Sequence, residues 1–71
     1  MIYTLTFSIS RNGEQAIGDK KDFTNIEEAI ALYQSKKDSE AEKEGRITLV
    51  SRAMVVDAEG IMQFKDSTKL P

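Results

Sequence analysis

The side chains of this chain that could do chemistry fall into two rows. Four hydroxyls, Thr4, Thr6, Ser8 and Ser10, recur at every second position near the start, and four acids, Asp38, Glu40, Glu42 and Glu44, recur at the same spacing in the middle. A serine or threonine attacks only when a base takes its proton, and the chain has no histidine to do so. It has no cysteine either, which removes thiolate chemistry, disulfides and the usual zinc ligands. Acids could pair as general acid and base, but that chemistry needs two carboxyls facing each other across a cleft, and a short chain has little room for one. A calcium loop needs oxygen ligands at fixed steps ending in a glutamate. Asp57-Ala58-Glu59-Gly60 is instead followed by Ile61, Met62 and Phe64. The four glycines, Gly13, Gly18, Gly45 and Gly60, stand apart, so no phosphate-cradling loop is present. The expectation is a protein that is not an enzyme, with no catalytic residue, no metal and no cofactor.

Binding is what remains for both rows. Thr4, Thr6 and Ser8 form a polar stripe that a partner could cover. Asp38, Glu40, Glu42 and Glu44 form an acidic patch suited to a protein with a basic surface. The formal net charge of −2 works against generic nucleic-acid binding. The basic pairs Lys20-Lys21 and Lys36-Lys37 stand beside Asp19, Asp22 and Asp38, which neutralise them locally. The aromatics Tyr3, Phe7, Phe23, Tyr33 and Phe64 mostly occupy core phases, leaving few for base stacking. Another protein is therefore the expected partner, ahead of nucleic acid.

The hydroxyl row needs a strand to hold it. Tyr3, Leu5, Phe7 and Ile9 alternate with the hydroxyls, a period of two with one apolar face. Asn12-Gly13 reverses the chain in a hairpin. The return strand, Glu14–Gly18, is weak, and a three-residue loop that pairs Ile9 with Ile17 keeps both on the core side. Gly18–Asp22 then reads as a charged connector.

The acidic row needs a helix. Thr24-Asn25-Ile26-Glu27 has the form of a capping box with Thr24 as the cap. Ile26, Ala29, Ile30, Tyr33 and Ala41 make one stripe, with Leu32 on its flank. Gly45 stands where a left-handed C-terminal cap belongs, so the helix is expected over Asn25–Glu44. Glu42 and Glu44 oppose the dipole at that end, which should overhang the sheet or fray.

Strand character returns over 46–57, and Asp57-Ala58-Glu59-Gly60 fits a type I turn with glycine in the left-handed bulge position. That turn pairs Val56 with Met62 and Met54 with Phe64, an expected core cluster. Ile47 and Leu49 lie on the opposite parity, so this strand is either buried on both faces or bulged near Ser51-Arg52. The order is ββαββ: an α+β fold, a three- to four-stranded antiparallel sheet with one helix packed across one face.

Seventy-one residues allow one domain, read as 1–65 with a short frayed tail at 66–71. The content of 39% hydrophobic and 31% charged residues is that of a folded rather than a disordered chain. A core this small gains from self-association, which makes a structural or regulatory homodimer through an edge strand the second expectation. No apolar run is long enough for a signal peptide or a membrane span, so a cytoplasmic location and no membrane partner are expected. In size, acidity and missing catalytic groups the chain resembles the small accessory proteins of phages and mobile elements. That likeness implies an inhibitor of anti-CRISPR or anti-restriction style, which occludes a partner's functional surface.

Overall fold

The computed structural model describes residues 1–42 and 48–70. Within them the chain runs β1 (Tyr3–Arg11), β2 (Glu14–Phe23), α1 (Ile26–Ala41), β3 (Leu49–Val56) and β4 (Met62–Leu70). The four strands form one antiparallel sheet in the order β2-β1-β3-β4, the α+β arrangement that the periodicities predict. Strands β2 and β3 both run antiparallel to β1 and so are parallel to each other. A hairpin cannot join them, and α1 carries the chain over β1 to make that crossing.

The core lies between α1 and one face of the central strands. Leu5, Phe7 and Ile9 of β1, Leu49, Ala53 and Val55 of β3, and Ala29 and Tyr33 of α1 are buried there. Tyr3, Ile17, Phe23, Ile26, Leu32, Ala41 and Phe64 pack around them. Tyr33 is the keystone: its ring meets Phe7 edge-on at 5.9 Å and Phe64 at 6.4 Å. Edge-to-face contacts of this kind add about 0.5–1.5 kcal/mol each beyond area burial.

The first hairpin satisfies the core by a different device from the three-residue loop. Arg11 pairs with Glu14 across a two-residue turn, with φ of 54° at Asn12 and 85° at Gly13, and Ile9 still pairs with Ile17. Ala16 is the extra residue between Gln15 and Ile17, a bulge that shifts register by one and returns Ile17 to the core side. Beyond it the strand does not stop at Gly18. Residues 18–22 continue to pair with β1 as far as Phe23, so the charged connector is an edge strand.

The helix is shorter than the expected Asn25–Glu44 and is capped by Asn25 rather than Thr24. The Asn25 side chain accepts the Glu27 N–H at 2.8 Å, and Asn25 itself is extended, at φ −130° and ψ 121°. The asparagine carbonyl thus takes the role assigned to the threonine hydroxyl one residue earlier. At the other end the Glu42 N–H reaches Asp38 O at 3.0 Å. Gly45, Glu44 and Ile47 lie outside the described residues.

Strand β3 buries one face only, Leu49, Ser51, Ala53 and Val55, with no bulge at Ser51-Arg52. The turn after it forms as the sequence predicts: the Gly60 N–H bonds to Asp57 O at 3.0 Å with φ of 82° at Gly60, and Val56 pairs with Met62. The expected Val56-Met62-Met54-Phe64 core cluster does not form. Gln63 is an extra residue in β4, so Phe64 faces Val55 and the helix, while Met54 faces Lys65 on the far side. One bulge reverses the faces of everything after it. Strand β4 continues to Leu70, so Asp66–Leu70 is paired sheet, not a frayed tail.

Candidate functional site

Helix α1 covers one face of the sheet, and among the described residues nothing covers the other. Register places Thr4, Thr6, Ser8 and Ser10 on it, beside Val50, Arg52, Met54 and Val56 of β3. Strand β2 adds Asp22, Lys20 and Gln15 on one side, and β4 adds Met62, Lys65, Ser67 and Lys69 on the other. The hydroxyl stripe that the sequence predicts is thus the middle of an uncovered sheet. Thr4 is tied to its neighbour, donating to Asp22 Oδ1 at 2.8 Å.

Two chemistries share this face. At one end Val56, Met54 and Met62 cluster, with Met54 41% and Met62 50% exposed, and Ile2 and Ile61 lie exposed at the same end. Toward the other end Thr6, Ser8, Arg52, Met54, Lys65 and Ser67 surround a depression of about 470 Å³. Lys20 and Lys69 flank it across the neighbouring strands. Four cations, Lys20, Arg52, Lys65 and Lys69, stand here against one acid, Asp22. The face therefore carries a formal +3, while the other described residues carry −6.

The depression holds nucleophiles without an activator. Of the residues around it only Asp66 bears a carboxyl, and that group turns to the opposite face of the sheet, where Tyr33 donates to it at 2.5 Å. Exposed hydroxyls on a regular strand with no adjacent base are poor nucleophiles. Among the described residues, no three carboxyls come close enough together to hold a metal ion.

The fold withdraws one member of the acidic row. Asp38 and Glu42 are exposed, and Glu44 lies outside the described residues. Glu40 is only 7% exposed, and its Oε1 lies 4.0 Å from Arg11 Nε. The last turn of α1 contains no basic residue, and Arg11 brings a positive charge to the negative end of the helix dipole from the end of β1. The signal was present in the sequence: Glu40 is seven positions beyond Tyr33 and falls on the same helical stripe.

A second polar cluster sits inside the molecule and is absent from the sequence reading. Tyr33 has one hydroxyl proton and donates it to Asp66 Oδ2, so the buried Ser51 hydroxyl donates to the Tyr33 oxygen. The same Asp66 oxygen accepts from Lys37 Nζ at 3.2 Å and from Thr68 at 3.1 Å. Burial, then the bond to the Asp66 carboxylate, pushes the Tyr33 pKa up to about 12. The Tyr33 donor, followed by Lys37 and Thr68, holds Asp66 below the usual carboxylate value. A tyrosine whose proton is held more tightly is a poorer acid or base near neutrality, so this cluster locks α1 to the sheet.

Both sheet edges are guarded. The extra residues Ala16 and Gln63 both fall on edge strands, and those strands carry Lys20, Lys21, Lys65 and Lys69. Edge bulges and lysines hinder addition of a further strand, which works against assembly through β2 or β4. Among the described residues no helix is long and apolar enough to cross a membrane. No protein-family model, curated protein or solved structure matches the chain at a significant level.

Proposed function

We propose that this chain is a non-enzymatic protein-interaction module that acts by covering a functional surface of its partner, and that it docks through the bare sheet face rather than through the acidic end of the helix. The supporting observation is the uncovered face itself. Two exposed methionines stand at one end of a four-stranded platform, with an arginine, hydroxyls and lysines toward the other. Methionine and arginine are enriched where proteins meet, and apolar and polar groups side by side are ordinary in such a contact. The row of Thr4, Thr6 and Ser8 belongs to this surface. Asp38 and Glu42 lie outside it, and Glu40 is spent on Arg11. An inhibitor acting by occlusion needs no more than such a face.

A photoreactive amino acid placed at Met54 or at Asp38 tests the reading in the cells that make the protein. Cross-linking to a protein from position 54 and not from 38 is expected. Cross-linking from 38 alone would overturn it, as would a bare face that captures nothing while the protein is folded.

A further inference from the structure

The partner's chemistry can be read from the same face, on the premise that the face is where docking occurs. The geometry points to an acidic protein surface as the occupant: carboxylates opposite Arg52 and Lys65, and an apolar strip opposite Met54 and Met62. This reverses the charge sense suggested by the row of helix acids, from which the fold withdraws Glu40.

Three observations carry it. The first is charge segregation. Among the described residues the bare face holds +3 while the others hold −6, so the molecule presents a cationic side to whatever it meets. Segregation of that kind steers association and fixes orientation. The second argues against a second copy of this chain. Two bare faces packed symmetrically would set Arg52 and the lysines of one against those of the other, and like charges brought together disfavour that dimer.

The third argues against nucleic acid. The rings of Phe7, Tyr33 and Phe64 are engaged with one another on the helix side, and Tyr3 and Phe23 pack around the core there. The bare face offers no ring for a base to stack on. A phosphate backbone would also leave Met54 and Met62 with nothing apolar to meet, whereas a protein surface supplies carboxylates and apolar groups together. Arg52, with Ser8 and Ser67 as its cross-strand neighbours, is placed to take a carboxylate in its guanidinium fork.

The test titrates the isotope-labelled protein with polyglutamate, and separately with a short DNA duplex at equal charge concentration, at about 0.15 M salt. Amide shifts are followed for the wild type, for R52E/K65E, and for K21E/K36E, which makes the same charge change on the other side. Polyglutamate is expected to shift amides around Thr6, Ser8, Arg52 and Lys65. Its affinity should fall at least about tenfold in R52E/K65E and less than about twofold in K21E/K36E, and the duplex should not saturate. Tighter, saturable duplex binding through Arg52 would make the face a nucleic-acid surface and overturn the proposal. Equal loss in the two variants would show that no anion site exists. R52Q/K65Q, which adds no negative charge, should fall between the wild type and the reversal if both variants keep the wild-type spectrum elsewhere. Cross-linking from position 54 that survives R52E/K65E would keep the docking face and discard the acidic partner.

Discussion

Tyr33 shows how a single side chain can join two layers. Its ring fills the centre of the core, and its hydroxyl is satisfied on both sides, by Ser51 and by Asp66. Replacing it with phenylalanine leaves the ring in place and strands the buried Ser51 hydroxyl, at a cost of about 1–3 kcal/mol in urea denaturation. The pH dependence gives a sharper reading. A tyrosine pKa raised from 10.0 to about 12 by folding contributes stability that is complete below pH 10 and is lost as pH rises toward 12. Asp66 has the opposite sign: its contribution is complete above the ordinary aspartate value and is lost as pH falls through its lowered folded value. The advantage of the wild type over Y33F should therefore shrink toward both extremes, and stability measured from pH 3 to 11 checks this. Tyr33 was legible as a core residue from its place on the helical stripe. Ser51 and Asp66 were not. A serine within a strand and an aspartate in an apparent tail carry no periodic signal, and their roles arise only when the sheet brings them beneath the helix.

At the scale of elements, turn chemistry proved more readable than register. Asn12-Gly13 and Asp57–Gly60 both reverse the chain where expected, with positive φ at Asn12, Gly13 and Gly60, although the first turn has two residues and not three. Each hairpin then contains a one-residue bulge, at Ala16 and at Gln63, that no local pattern announces. The two bulges had opposite effects on what could be read. The first preserved the Ile9–Ile17 pairing, which was expected on a different mechanism. The second overturned the Met54–Phe64 pairing by turning Phe64 to the core side, while Met54, paired with Thr6, stands on the bare face. Asn12 has a further task beyond its turn. Its N–H bonds to Thr48 O at 2.8 Å, and its side-chain oxygen accepts from the Thr48 N–H at 2.9 Å, fastening the chain just before β3 to the first hairpin. Gly13 has open space where a side chain would project, so Gly13→Ala meets no obstacle and bears only the backbone penalty of φ 85°. That penalty is about 1–2 kcal/mol, and chemical denaturation should show it with an unchanged denaturant slope.

The molecule as a whole is a sheet with one side finished and one side open. The architecture was legible because ββαββ patterning leaves few ways to place a single helix, and α1 can cover only one face. The proposed docking face was half legible. Thr4, Thr6 and Ser8 announced a wet strand face, but Arg52, Lys65 and Lys69 joined it only through pairings between distant segments. Of the acids, conspicuous along the chain, Glu40 folds in against Arg11 while Asp38 and Glu42 stay exposed. The lysines now report on each side of the sheet: Lys20, Lys65 and Lys69 on the bare face, Lys21 and Lys36 away from it. Acetylation of lysines, read by mass spectrometry on the free protein and on the complex recovered from its source cells, therefore asks directly which side a partner covers. Protection of Lys20, Lys65 and Lys69 with unchanged labelling of Lys21 and Lys36 is the predicted result. Protection confined to Lys36 and the helix, with the bare-face lysines as reactive as before, would contradict it.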